Sequence, residues 1–226
     1  PDAHIELIFK IAREFDVDVD FHLDFDLDAS DSSIPKVVEQ TRLFGYEGRV
    51  SIGHVTKLCA MDDQTRSDMI TQLTDAGVAL IVLPATDLFL GGRDAAASNE
   101  QQLVPRGMVN AADLLDAGGV ASISSNNIQN AFTPYGDASL LRMANLYANV
   151  AQLASDDQIQ QVFAMISEHP AKILGIRTQI EVGAPADLLV LEAKNPVDAL
   201  RSIAQPLAGF KAGRMSFSRP AAKIYR

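Results

Sequence analysis

Cysteine is nearly absent: Cys59 is the single one among 226 residues. A lone thiol excludes a disulfide framework and a cysteine-built zinc cluster, and it suits a reducing compartment, so a cytoplasmic location is expected. Basic charge is also scarce, with 19 Lys and Arg against 29 Asp and Glu and a formal net charge of −10. No Lys/Arg cluster offsets that excess, so a phosphate backbone or an anionic membrane surface would be repelled on average. Nucleic acid and membrane are therefore not expected as partners. Long apolar runs are missing too. The longest, VALIVLPA beginning at Val78, is far short of the ~20 residues that cross a bilayer. No signal peptide is expected, because Pro1-Asp2 leads straight into a charged amphipathic stretch. The missing initiator methionine suggests a fragment.

What is present is a regular alternation. Hydrophobic content of 47% and charged content of 21% are those of a soluble globular chain, long enough for one good core or one domain plus an appendage. Asp2 is placed to cap a first helix whose apolar face is Ile5, Ile8, Ile11, Ala12 and Phe15. Val17, Val19 and Phe21 then alternate into a strand ending near His22. A second helix has Pro35 in its first turn and Gly45 just past its end. Residues 50–54 form the next strand, and Asp62 or Asp63 caps a helix that closes at Gly77. Residues 78–83 are continuously apolar, as a strand covered on both faces is. Asn110 caps a helix over 111–117, and 120–125 supply a fourth strand. These starts lie roughly 30–40 residues apart, the length of a βα repeat.

Four βα units make half of a TIM-type β/α barrel, so an α/β fold is expected. Helices over 140–153 and 159–166 follow, then a short one opened by Pro170. After Gly175 the period changes. LLVLEA and the two short strands around Ala212-Gly213 read as a small β-appendage. The expected division is a partial barrel domain over 1–176 and an appendage over 177–226.

Two of the barrel strands end on histidine, VDVDFH on His22 and RVSIGH on His54, and VASISSN ends on Asn126. Strand C-termini are where a β/α barrel carries its catalytic groups. Asp24 and Asp26 alternate with Phe25, which predicts that both leave the chain on one side, towards the site. Purely structural roles suit several of the same residues. Asn126-Asn127 fits a simple turn. His169, just before Pro170, fits a helix cap. Asp24, Asp26, Asp28 and Asp31 fit a solvated acidic loop. The long connection from Gly91 to Gly107, with Arg93 and Arg106, is either a substrate cover or ordinary surface variation.

The runs VDVDFHLDFD, SIGHVT, LGGRD, SSNNIQNAFTPYGDASLL, HPAKILGI and VGAPADLLVLEA, in that order, resemble the amidohydrolase superfamily. The nearest branch is that of cytosine deaminase and isopropylammelide amidohydrolase. The resemblance runs from about residue 2 to residue 217 and covers strands five to eight and the tail of such an enzyme. It implies a metal-dependent hydrolase of non-peptide C–N bonds on a ring amine or amide of a small heterocycle. It further implies that His22 is the fifth-strand ligand of a divalent metal, zinc or iron. His54 then faces the attacking water, and Asn126 and Asn127 hold the metal-aspartate and ring-contact positions. Asp24 would serve in acid/base catalysis and Arg93 in substrate binding. A metal with an open position lowers the pKa of bound water towards ~7, and a nearby imidazole can shuttle protons.

Three departures separate this sequence from the family pattern. The first-strand His-x-His pair is not among its residues, the eighth-strand aspartate is Asn126, and the acid/base glutamate is Phe25. Asn126 and Phe25 favour the alternative, a truncated or degenerate non-catalytic relative that binds a small molecule or a partner, and divalent metal is then not required. Four βα units also leave two strand edges unpaired, so a homo-oligomer that buries them is expected.

Overall fold

The structure, a computed structural model, describes residues 1–93, 104–223 and 225. Among the described residues two sheets form, and the chain divides into two compact units, Pro1–Ser139 and Leu140–Arg226. The helices expected to complete the barrel domain thus group with the appendage sheet, 37 residues before the 176/177 division expected from sequence. No helix among the described residues is long and apolar enough to cross a membrane.

The first unit alternates strand and helix: α1 (Asp2–Phe15), β1 (Val19–Leu23), α2 (Ile34–Phe44), β2 (Val50–His54), α3 (Asp63–Asp75), β3 (Val78–Val82), α4 (Pro84–Leu90), α5 (Ala112–Asp116) and β4 (Ala121–Ile123). The strands lie in the order β1-β2-β3-β4, every neighbouring pair parallel. A parallel sheet whose strand order follows chain order, with helical crossovers, is one half of a β/α barrel. β2 is buried at every position, and β3 nearly so, as strands covered on both faces must be.

On the helix side of the sheet, α1 buries Ile5, Phe9 and Ala12. The fully buried Phe9 ring lies 5.8 Å from both Phe21 and Phe44, and 5.9 Å from Tyr46. Burying one such ring contributes about 1.5–3 kcal/mol, and this cluster fixes β1 against α1 and α2. Alternation then turns Asp20 and His22 to the opposite face of β1.

Several local expectations are corrected. Pro1, not Asp2, is the N-cap of α1, and Asp2 contributes as an acidic first-turn residue. Asn110 Oδ1 does accept from Ala112 N–H at 3.0 Å, but α5 itself is only 112–116 and β4 only three residues long. α4 was hidden inside what reads as a single apolar run. Pro84, at its first turn, ends the strand and starts the helix.

The second unit holds α6 (Leu140–Val150), α7 (Asp156–Ala164), α8 (Glu168–Ile173), β5 (Leu188–Leu191), α9 (Pro196–Ser202), β6 (Pro206–Lys211) and β7 (Arg214–Ser218). Ser155 and Gln158 form a capping box at the start of α7. α8 begins at Glu168, so His169 lies inside its first turn and Ser167 is the N-cap. β5, β6 and β7 make an antiparallel sheet. The β6–β7 turn at Ala212-Gly213 has φ of 49° and 75°, the double left-handed step of a tight hairpin.

Candidate active site

His22 stands at the fourth position of β1 and registers with Gly53 of β2. His54 is one residue further along β2, where alternation alone would put it on the helix side with Ile52. The backbone does not allow that. His54 has φ of 69° and Val55 φ of 41°, two successive non-glycine residues in the left-handed region, and such strain persists only where surrounding structure imposes it. The turn brings the two rings together: His22 Nδ1 lies 3.1 Å from His54 Nε2, with ring centroids 5.0 Å apart. Gly53 keeps the space clear, since a Cβ there would sit 3.3 Å from Leu83 Cδ1 and 3.8 Å from His22 Cε1.

The other nitrogen of His54 is held from α4. His54 Nδ1 lies 2.6 Å from Asp87 Oδ1, and Asp87 is 0% exposed. Burial pushes the Asp87 carboxyl above its ordinary range, opposed by the hydrogen bond from His54. Its second oxygen, Oδ2, is buried and has no hydrogen-bond partner among the described residues. At its outer end, His22 Nε2 lies 3.5 Å from Asp20 Oδ2. The Oδ1 of Asp20 accepts from Ser51 Oγ at 2.6 Å. Asp20, His22, His54 and Asp87 thus form a continuous chain from the open sheet face into the core.

The remaining predicted site residues are placed elsewhere. β1 ends at Leu23 and Asp24 has φ of 54°, so the alternation expected to send Asp24 and Asp26 towards the site does not continue. Both Asp24 oxygens are taken by Ser33 N–H and Ser32 Oγ at the start of α2. There a carboxylate meets the positive end of the helix. Asp26 pairs with Lys57 at 3.3 Å. Lys57 also donates to the Asp31 carbonyl at 2.6 Å, so this acidic stretch is fastened to the segment after β2. Phe25 is the residue that meets the site, its ring 4.9 Å from that of His54 and nearly perpendicular to it.

Asn126 follows β4 with φ of 58°, and its side-chain amide enters no hydrogen bond among the described residues. Asn127 Oδ1 accepts from Asn130 Nδ2, and Asn130 Oδ1 in turn accepts from the N–H groups of Phe132 and Thr133. These are the contacts of an asparagine-built turn. The Arg93 guanidinium lies 5.0 Å above the Phe89 ring, while Arg106 donates to the carbonyls of Leu88 and Gly91 and so closes the C-terminus of α4. Of the long connection expected to cover substrate, residues 94–103 lie outside the described residues.

Asp87 was not anticipated. The available signal was Pro84 following an apolar strand, which marks a helix start, with one carboxylate in the otherwise apolar PATDLFL.

The donor set for a divalent cation is incomplete. Among the described residues no group of three or more His, Cys, Asp or Glu could hold a metal ion. His22 Nδ1 and both nitrogens of His54 are already in hydrogen bonds, and Asn126 offers an amide oxygen in place of a carboxylate. Tetrahedral zinc sites require three or four protein ligands, and the described residues do not supply them.

Residues 1–214 match the amidohydrolase family. The chain is 26% identical over 216 residues to N-isopropylammelide isopropyl amidohydrolase of Pseudomonas sp., covering 95% of this chain and 49% of that protein. It is 25% identical over 195 residues to pterin deaminase of Rhizobium rhizogenes, covering 85% and 43%. In structure it resembles 5-methylcytosine deaminase from Klebsiella pneumoniae, solved with 5-fluorocytosine. The TM-score is 0.91 at 22% identity, over 100% of this chain and 54% of that one. The chain spans about half the length of the relatives it matches.

Proposed function

The chain belongs to the amidohydrolase family, and from that premise we propose that it carries part of the site of a hydrolase acting on a ring C–N bond of a small heterocycle. The observation that supports this reading is the meeting of His22 and His54 at 3.1 Å, on the C-terminal ends of adjacent parallel strands, with Asp87 behind them. The relatives matched along nearly half their length are named as an amidohydrolase of N-isopropylammelide and a deaminase of pterin.

The chemistry available to these residues is proton transfer. Water attack on a ring carbon develops charge on the attacking oxygen and on the leaving nitrogen, and a positioned imidazole can take the first proton and return it to the second. Both nitrogens of His54 are engaged, by Asp87 and by His22, so His54 orients the pair and His22, nearer the open face, carries the nitrogen available for that exchange. A divalent cation such as zinc or iron would in addition supply activated water, but the described residues do not complete its ligand set.

A second reading is favoured by Phe25 and Asn126: a non-catalytic relative that binds a small heterocycle. Phe25 places an apolar ring against His54 where the family pattern has an acid. Ammonia or amine release from cytosine and substituted triazines, measured with and without added zinc or iron, separates the two. Turnover abolished by His54→Asn supports the hydrolase. Folded protein that neither takes up metal nor releases product leaves the binding role.

A further inference from the structure

We infer that Asp87 is a positioning residue that sets the tautomers of both imidazoles, so that the free lone pair of the pair emerges at His22 Nε2. Counting hydrogens along the chain gives the assignment. A carboxylate only accepts hydrogen bonds, so at 2.6 Å from Asp87 Oδ1 the proton of a neutral His54 sits on Nδ1. Its Nε2 is then an acceptor. The atom 3.1 Å from it is His22 Nδ1, which is therefore the N–H donor: the 2.6 Å contact with Asp87 sets the direction over the looser 3.5 Å approach of Asp20 Oδ2 to His22 Nε2, and in the neutral pair that nitrogen keeps its lone pair.

Burial and backbone point the same way. Asp87 is fully buried with one oxygen unpartnered among the described residues, a costly placement for a charged group. It is retained where an apolar residue would suit the surrounding helix. The left-handed backbone at His54 and Val55 is what turns the His54 ring to bridge Asp87 and His22 at once. Second partners of this kind commonly fix which imidazole nitrogen is exposed for chemistry.

The bearing of this lock on hydrolysis rests on the function proposed above; the lock itself does not. Nitrogen-15 spectra of the imidazoles, recorded at alkaline pH, test it directly. The chain has four histidines, and single His→Gln variants assign them. The expected result is a protonated Nδ1 and bare Nε2 on both His22 and His54. Asp87→Asn, whose amide can donate as well as accept, should move both rings together towards the mixed tautomers of free imidazole. A wild-type His54 protonated on Nε2 overturns the inference, and so does a folded Asp87→Asn protein with unchanged spectra. If that variant does not fold, the wild-type spectrum alone decides. A locked pair in a chain without turnover would sink the hydrolase reading and leave this one standing.

Discussion

The Phe25 ring stands 4.9 Å from His54 and nearly perpendicular to it, in the position where the family pattern places a carboxylic acid. An aromatic edge there excludes water but cannot exchange a proton. Restoring an acid should therefore raise hydrolysis if the rest of the site functions. General acid–base groups contribute about 10²–10⁴-fold, so Phe25→Glu should increase amine release from a ring substrate by at least the lower figure. Unchanged rates in a folded variant would count against a hydrolytic role for this face.

Lys57 is 7% exposed, yet its ammonium ties down the β1–α2 loop through the Asp31 carbonyl and the Asp26 carboxylate. Lys57→Met keeps the stem and removes the charge. Charge-assisted hydrogen bonds are each worth about 1.5–3 kcal/mol, so a loss of that order is expected in urea unfolding. Faster amide exchange across residues 26–31 should accompany it. A variant as stable as the parent would show that the loop holds itself.

Gly107 passes close to the segment after β2: a Cβ there would meet Leu27 Cδ2 at 2.6 Å and Thr56 Cβ at 3.1 Å. Gly107→Ala forces one of these to move. Overpacking of this kind costs about 1–3 kcal/mol, which a thermal melt would register as a lowered midpoint. An unchanged melt would mean that residues 104–107 are free to retreat.

Stability should fall in acid. The carboxyls of Glu6, Asp28, Asp62 and Asp187 are held low, chiefly by hydrogen bonds from Lys36, the Ser30 hydroxyl, the Thr65 N–H and Lys211 respectively. A depressed folded value contributes stability above the ordinary one, 4.5 for Glu6 and 3.8 for the others, which is lost as pH falls through the folded value. Asp87 acts with the opposite sign, since burial raises it and its contribution is lost as pH rises. All four lie open to solvent, which screens each contribution, so a small decline below about pH 4 is predicted. Melting midpoints that stay level from neutral to that range would contradict the balance.

The half-barrel was legible in the sequence because strand and helix alternate at the length of a βα unit, and because β3 is apolar throughout. The meeting of His22 and His54 was legible for a related reason: both lie at the C-terminal ends of adjacent parallel strands, His22 one residue before the end of β1 and His54 at the end of β2. What could not be read was local backbone. Nothing in SIGHVT announces that His54 and Val55 adopt positive φ, and the end of β1 at Leu23 undid the alternation on which the placing of Asp24 depended. Asp87 stayed hidden because strand β3 and helix α4 together look like one apolar run. The contact of Asp24 with Ser32 and Ser33 ahead of α2 depends on a loop returning to that residue, a contact that sequence spacing does not encode.

Helix α4 makes contacts both to His54 and to the loop after β4. Asp87 reaches His54, and Thr86, beside it, is hydrogen-bonded through its hydroxyl to Thr133 in the loop after β4, with Phe89 against Tyr135 of the same loop. The contact to His54 and the contacts to the TPYG loop are thus made by one seven-residue helix. Thr133→Val, which unhooks one flank, should accordingly broaden or shift the ring resonances of His54 although it touches neither histidine.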